Sequence, residues 1–216
     1  MTTTPTGRPP RLSRARIVTA ARELVATSGT EALTMRRLAT ELNATPMALY
    51  RHVRDREELL LLLLDDIAAD MLRPDLPADP RERVVVAARA MHDTLAQVPW
   101  IIEVLTADEF FAPSALWYTE SIIDAAITSG LTPEDAVHAY RSIWYYTAGE
   151  LIVRTASSRR TTADGNAFRD KVFADLDPES LPRLAELGNR YVSLAATDTY
   201  ERGLRALVAG LLGPHS

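Results

Sequence analysis

The chain has 216 residues, 47% hydrophobic and 25% charged, an ordinary composition for a soluble globular protein with room for one large domain or a small domain joined to a larger one. It contains no cysteine, which excludes disulfides and thiolate chemistry and fits a reducing cytoplasm. The net charge of −5 is unevenly divided: residues 1–60 hold ten arginines against six acids, net +4, and the remainder is net −9, so an acidic protein keeps a basic first quarter that can meet a polyanion if its charges share one face.

Residues 1–12 mix Thr, Pro, Gly and Arg without periodicity and predict a flexible basic arm with Arg8 and Arg11 in it and Arg14 and Arg16 just beyond. Two readings stand for it, a solvated tail or an arm that touches phosphates or a minor groove. The stretch has no apolar h-region, so no secretory signal is expected. Ser13 then caps a helix whose Ile17, Ala20, Ala21 and Leu24 keep helical spacing, and Gly29 stops it. A second helix follows the cap Thr34, with Met35, Leu38, Ala39 and Leu42 as its apolar stripe.

Asn43 and Ala44 break that stripe, and Thr45 with Pro46 restarts a helix over about residues 46–53, because threonine is a good N-cap and proline is tolerated at the first helical position. Leu49 and Val53 are its buried pair at i and i+4. Pro46, Met47, Tyr50, Arg51 and His52 cannot all face one small core, and they form an outward surface of one aromatic, two basic-capable side chains and an apolar tip. Helix, short turn and a second helix with such a face is the pattern of a helix-turn-helix that reads double-stranded DNA. Residues 13–56 thus predict a three-helix DNA-binding domain with Leu33 as a plug between the helices, too small a core to be robust alone.

Asp55 caps the next helix with Glu58 three residues on, a capping box, and the helix runs through six consecutive leucines, Leu59 to Leu64, towards Met71. Leucine on every side makes residues 57–72 a connector helix clasped between two domains. Six apolar residues fall far short of the roughly 20 that span a bilayer, so no membrane segment is expected. Three prolines in residues 73–80 end the connector.

From Asp79 onward helices are predicted over about 80–98, from Pro99, from Pro113 to about Ser129, and from Thr132 through the longest segment to about residue 156. A polar loop is expected over 157–166 and short helices interrupted by Pro178 and Pro182 over 167–190. The last helix, about 198–212, carries Tyr200, Leu204, Leu207, Val208 and Leu211 on one side, with Gly203, Ala206 and Gly210 near it. The helices at about 133–156 and 198–212 are expected to pair with those of a second copy as a four-helix homodimer interface. The fold class is all-α, with a larger helical ligand-binding and dimerisation domain over residues 73–216.

The middle region clusters aromatic residues, among them Trp100, Phe110, Trp117, Tyr118, Tyr140 and Trp144. They admit two readings, plain core or a largely apolar cavity for a small-molecule effector, with His92, Glu103, Thr147 and Glu150 as its polar candidates. The four histidines show no i, i+4 pairing and there is no cysteine, so no metal and no cofactor is expected. No nucleophile–base pair or phosphate loop suggests an enzyme.

Residues 34–60, TMRRLATELNATPMALYRHVRDREELL, resemble the helix-turn-helix of the tetracycline-repressor (TetR) family, whose LY-x-H-[FV]-[KR]-[DNS]-[KR]-x-x-L core they carry. GLTPEDAVHAYRSIWYYTAG resembles the long interface helix of the tetracycline-repressor branch, and YERGLRALVAGLL stands where that family has its last helix. The resemblance implies that Arg36, Pro46, Met47 and Ala48 lie nearest the base edges. It also implies that Thr45, Tyr50, His52 and Arg56 bind phosphates, with Arg51 at a position where related chains often carry an aromatic. It implies a cytoplasmic homodimeric repressor of a near-palindromic operator, released by a small-molecule effector of largely apolar or aromatic character. The tetracycline-binding member holds a magnesium–drug chelate through a histidine that WIIEVLTADEF lacks, so tetracycline itself is not expected. The alternatives are a small-molecule carrier or enzyme with a vestigial helix-turn-helix, and a ligand-independent regulator or activator.

Overall fold

The structure, a computed structural model, describes residues 12–107, 112–159 and 171–213. The predicted arm up to Arg11, Phe110, and residues 160–166 of the predicted loop lie outside the described residues. The described secondary structure is helical, and no described helix is long and apolar enough to cross a membrane. The chain divides into two compact units, Met1–Leu72 with Glu103–Trp117, and Arg73–Ile102 with Tyr118–Ser216.

In the first unit, α1 (Arg14–Ser28) starts where the Ser13 hydroxyl accepts from the Arg16 N–H and ends at Gly29, whose φ of 78° a side chain would resist. Its buried face is Ile17, Val18, Ala21, Leu24 and Val25. A 3-10 turn over Thr30–Ala32 leads to Leu33, fully buried as expected of a plug, and to α2 (Met35–Glu41), capped by Thr34. α3 (Pro46–Tyr50) is capped by Thr45 and is shorter than predicted: the His52 and Val53 N–H groups both donate to the Leu49 carbonyl, which closes the helix in a tight turn before Val53.

The junction between α2 and α3 is set by backbone chemistry. Asn43 has a φ of 50°, the Ala44 N–H donates to the Ala39 carbonyl at 2.9 Å and the Asn43 N–H to the Thr40 carbonyl at 3.1 Å. This pair of bonds is a Schellman motif, and asparagine is the side chain that tolerates its left-handed position best after glycine. The break in the apolar stripe is therefore the turn itself.

α4 (Arg56–Ala69) begins at Asp55, whose carboxylate accepts from the Glu58 N–H at 2.8 Å. The Glu58 carboxylate returns the bond one residue earlier than in a standard capping box, accepting from the Arg54 N–H at 2.7 Å. Of the six leucines, Leu59, Leu60, Leu63 and Leu64 are buried and Leu61 and Leu62 half-buried. Pairs of buried residues four apart give α4 a wide apolar face. Segment 113–115, a 3-10 turn, packs on this helix within the same unit, and the Asp65 carboxylate accepts from the Ser114 N–H at 2.7 Å.

The second unit is built on α5 (Pro80–Gln97), α7 (Leu116–Thr128), α8 (Pro133–Arg159) and α11 (Tyr200–Leu211). α9 (Pro182–Leu187) and α10 (Arg190–Ala195) lie between α8 and α11 in sequence, while α6 (Trp100–Ala107) begins in this unit and runs into residues 103–117 of the first. α8 continues to Arg159, so residues 157–159 are helical where a loop was expected, and Pro182 opens a helix where an interruption was expected. The second follows from position, since proline is tolerated in a first turn. The core packs Val84, Ala88, Ile122, Ala126, Ala139, Ile143, Leu204 and Val208, and its many alanines let helix axes approach closely.

The closest approach is at Gly203. A Cβ there would stand 2.0 Å from the Tyr146 hydroxyl, which donates to the Tyr200 carbonyl at 3.2 Å. Gly203 therefore serves packing inside the chain. So do Tyr200, Leu204 and Val208, all buried.

Replacing Asn43 with valine puts a β-branched residue into a left-handed conformation and is expected to cost about 1–2 kcal/mol. Asn43→Gly should leave stability level or raise it. Urea unfolding of the two variants beside the wild type measures both.

Candidate nucleic-acid interface and effector region

Two side chains hold α3 in place, and the others stand outward. Leu49 is fully buried and Val53, just past the helix, nearly so. Met47 is 69% exposed and Tyr50 48%, large fractions for apolar and aromatic groups on a stable surface. Pro46, Thr45 and Arg51 are exposed, and Ala48 and His52 half-buried. Thr45 accepts from the Ala48 N–H at 3.3 Å, which leaves its own hydroxyl proton free to donate. Arg36, on the outer side of α2, is exposed, and its guanidinium has no protein partner among the described residues.

Arg56 has partners within its own unit. Its Nε donates to the Leu33 carbonyl at 3.0 Å and its Nη2 to the Thr30 carbonyl at 3.2 Å. The guanidinium thus ties the start of α4 to the turn ahead of α2, and in this structure it is engaged inside the unit. Eight of the nine named DNA-contact candidates lie on α2, α3 or the residues flanking α3, and Arg56 stands exposed at the start of α4.

In the second unit the structure gathers three of the four polar effector candidates around a residue that sequence reasoning read only as helix core. His92 is 2% exposed, with Nδ1 3.0 Å from an Asp93 oxygen and Nε2 2.9 Å from a Glu150 oxygen. Its ring stacks on Tyr200, centroids 3.8 Å apart. The Tyr200 hydroxyl lies 2.8 Å from that of Thr147, which is fully buried and donates to the Ile143 carbonyl. Burial pushes the Tyr200 phenol up to about 12, and pushes Tyr146 and Tyr118 upward too.

Charged residues close this cluster towards solvent. Arg154 holds Glu150 at 2.7 Å and Asp198 at 3.2 Å, and Arg89 holds Asp93 and Glu201, each at 2.9 Å. The Asp198 carboxyl is held below the usual range, first by the Tyr200 N–H it accepts from. The other candidates are placed separately. Tyr140 accepts from the Thr119 hydroxyl at 3.1 Å, Tyr118 is buried, and Trp100 and Trp144 are half-buried. Trp117 belongs to the first unit, while Phe110 and the Glu103 side chain lie outside the described residues. Among the described residues no His, Asp and Glu group has a metal-holding arrangement.

Residues 17–63 match the family model described as bacterial regulatory proteins, tetR family, and residues 73–213 match that of the tetracyclin repressor-like C-terminal domain. The HTH-type transcriptional repressor DrrR1 of Streptomyces coeruleorubidus is 32% identical over 173 residues, covering 77% of this chain. The chain spans 64% of that relative's length. An HTH-type transcriptional regulator of Saccharopolyspora erythraea is 28% identical over 205 residues, 94% of this chain and 85% of the other. Among solved structures, ActR from Streptomyces coelicolor in complex with actinorhodin superposes with a TM-score of 0.78 at 26% identity, over 94% of this chain and 96% of that one.

The raised Tyr200 phenol carries a pH signature. A phenol whose folded pKa lies near 12 against an unfolded value near 10 contributes stability that is whole below pH 10 and is lost as pH rises towards 12. The loss is about 1.4 kcal/mol per pH unit across that window. Tyr200→Phe is expected to show a shallower alkaline fall between pH 10 and 12 in thermal melts, at a cost of about 1 kcal/mol at neutral pH for the hydrogen bond to Thr147.

Proposed function

The chain belongs to the tetR family of bacterial regulatory proteins, and from that premise we propose that it is a cytoplasmic homodimeric repressor which binds a near-palindromic operator and leaves it when a small molecule binds the second unit. The observation that carries the DNA half is the outer side of α3, where Met47 and Tyr50 are exposed at 69% and 48% over a helix fixed from behind by Leu49. A monomeric soluble protein gains nothing from such a face, and a major groove accepts it. Arg36, Thr45, Pro46, Met47, Ala48, Tyr50, Arg51 and His52 are the contacts in this reading.

The homodimer is supported by what α8 and α11 leave uncovered. Val137, Tyr145, Ile152 and Val153 of α8 are 44%, 60%, 45% and 65% exposed, and a Cβ at Gly149 would meet nothing within 4 Å. On α11 Ala206, Ala209 and Gly210 are exposed alongside Glu201, Arg202 and Arg205, with Gly210 equally open. Apolar side chains on one helix beside small residues on another suit close packing against a second copy. A two-fold axis there would present two α3 helices to successive turns of the groove.

The effector half draws on the second unit. Its aromatic residues suit a ligand of largely apolar or aromatic character, with His92, Thr147 and Glu150 as polar recognition groups, and the solved relative ActR holds actinorhodin. Induction requires that the ligand bind the operator-incompetent spacing of the two α3 helices more tightly than the competent one.

Two measurements test this. Arg36→Ala with Tyr50→Ala should abolish salt-dependent footprints on DNA near the chain's own gene while leaving the thermal melt in place, and persistence of the footprint sinks the DNA reading. Gly149→Arg with Gly210→Arg, both into open space, should convert a sedimenting dimer to a monomer and weaken operator binding by at least tenfold. An unchanged dimer would move the interface elsewhere.

A further inference from the structure

The ten arginines of residues 1–60 divide by what their guanidinium groups touch. Arg14 pairs with Glu58, and Arg22 reaches Asp66 at 3.2 Å and Asp70 at 2.7 Å. Arg37 donates to the Ser28 hydroxyl at 2.9 Å, Arg54 to Glu58 at 3.3 Å, and Arg56 to the Leu33 and Thr30 carbonyls. Arg16 is also partnered, and Arg8 and Arg11 lie outside the described residues. Among the described arginines of this stretch, Arg36 and Arg51 are exposed, and their guanidinium groups have no protein partner among the described residues.

Arg51 holds a particular place on the reading helix. Its φ of −74° and ψ of −16° continue α3, so helical geometry extends through it. At about 100° per residue, Met47 and Arg51 each stand about 200° from the buried Leu49, which makes them the outermost ridge. Pro46 and Tyr50 lie on one flank and Ala48 on the other. A helix entering a groove with Leu49 behind it turns its flanks to the walls, which are phosphate, and its outer ridge to the floor, which is base edges.

We propose that Arg51 reads a guanine in the major groove and is a specificity-determining residue of this surface, distinct from its phosphate contacts; the proposal rests on the reading of α3 as the groove-entering helix. Met47 offers shape and apolar contact without a strong hydrogen bond, so the guanidinium is the hydrogen-bonding group of the ridge. Its planar fork matches guanine O6 and N7 together. α3 is short enough for both ridge positions to reach the same few base pairs, since four residues of helix advance only about 6 Å. With no carboxylate holding it, the guanidinium forfeits no ion pair on entering the groove.

The test is selection of bound duplexes from a random pool by the full-length wild type, followed by competition of the enriched duplex against its single-base variants. The wild type should prefer guanine at one position in each half-site by roughly ten- to a hundredfold. Arg51→Ala should erase that preference and leave the other positions as they were, with an unchanged thermal melt and an unchanged salt slope. Arg51→Lys should retain charge and lose most of the discrimination. If Arg51→Ala instead weakens all duplexes alike and lowers the salt slope by about one for each Arg51, the residue is a phosphate clamp and the proposal fails. Unaltered preferences in Arg51→Ala overturn it as well. If the wild type enriches no sequence, the failure lies in the DNA reading itself.

Discussion

A helix of five residues cannot hold its own shape in water, because nucleation fixes several residues before the first few bonds repay it. α3 persists because Leu49 is fully buried and Val53 nearly so, and because the Thr45 cap and the carbonyl of Leu49 close both ends. Deleting the Leu49 side chain would leave a cavity worth roughly 2–5 kcal/mol in a unit with a small core. Everything outward on this helix is free to face a ligand because one leucine holds it from behind.

The charge of the first quarter follows the same division of labour. Net positive charge suggests a surface made for polyanions, yet several of its arginines fasten α1 to α4 or pin α4 to the turn before α2. Exposed ion pairs of this kind contribute little apiece, but each occupies a guanidinium that would otherwise face solvent. Charge presented to a partner is thus far smaller than charge counted along the chain.

Local chemistry was legible in the sequence. Ser13, Thr34, Thr45, Asp55 and Asp79 each cap the helix they were expected to cap, because a cap is decided within four residues. The outward set on α3 was legible for the same reason, once Leu49 and Val53 were assigned inward. Tyr200 was not legible as the centre of a polar cluster, since its partners His92 and Thr147 are 108 and 53 residues away and nothing local marks it. The bonds from Arg56 to the Leu33 and Thr30 carbonyls were not legible either, since those carbonyls stand 23 and 26 residues earlier. The membership of residues 103–117 in the first unit depends on contacts with α4 that no periodicity announces.

The meeting of Gly203 with Tyr146 carries a consequence for descent. With the Tyr146 hydroxyl 2.0 Å from where a Cβ would stand, any side chain at position 203 requires that ring to move. The two positions are therefore coupled: a lineage that gains a side chain at 203 must shorten or turn aside the residue at 146, and with it surrender the hydrogen bond to the Tyr200 carbonyl. Paired substitution at these two sites is the mark this packing would leave across diverging sequences.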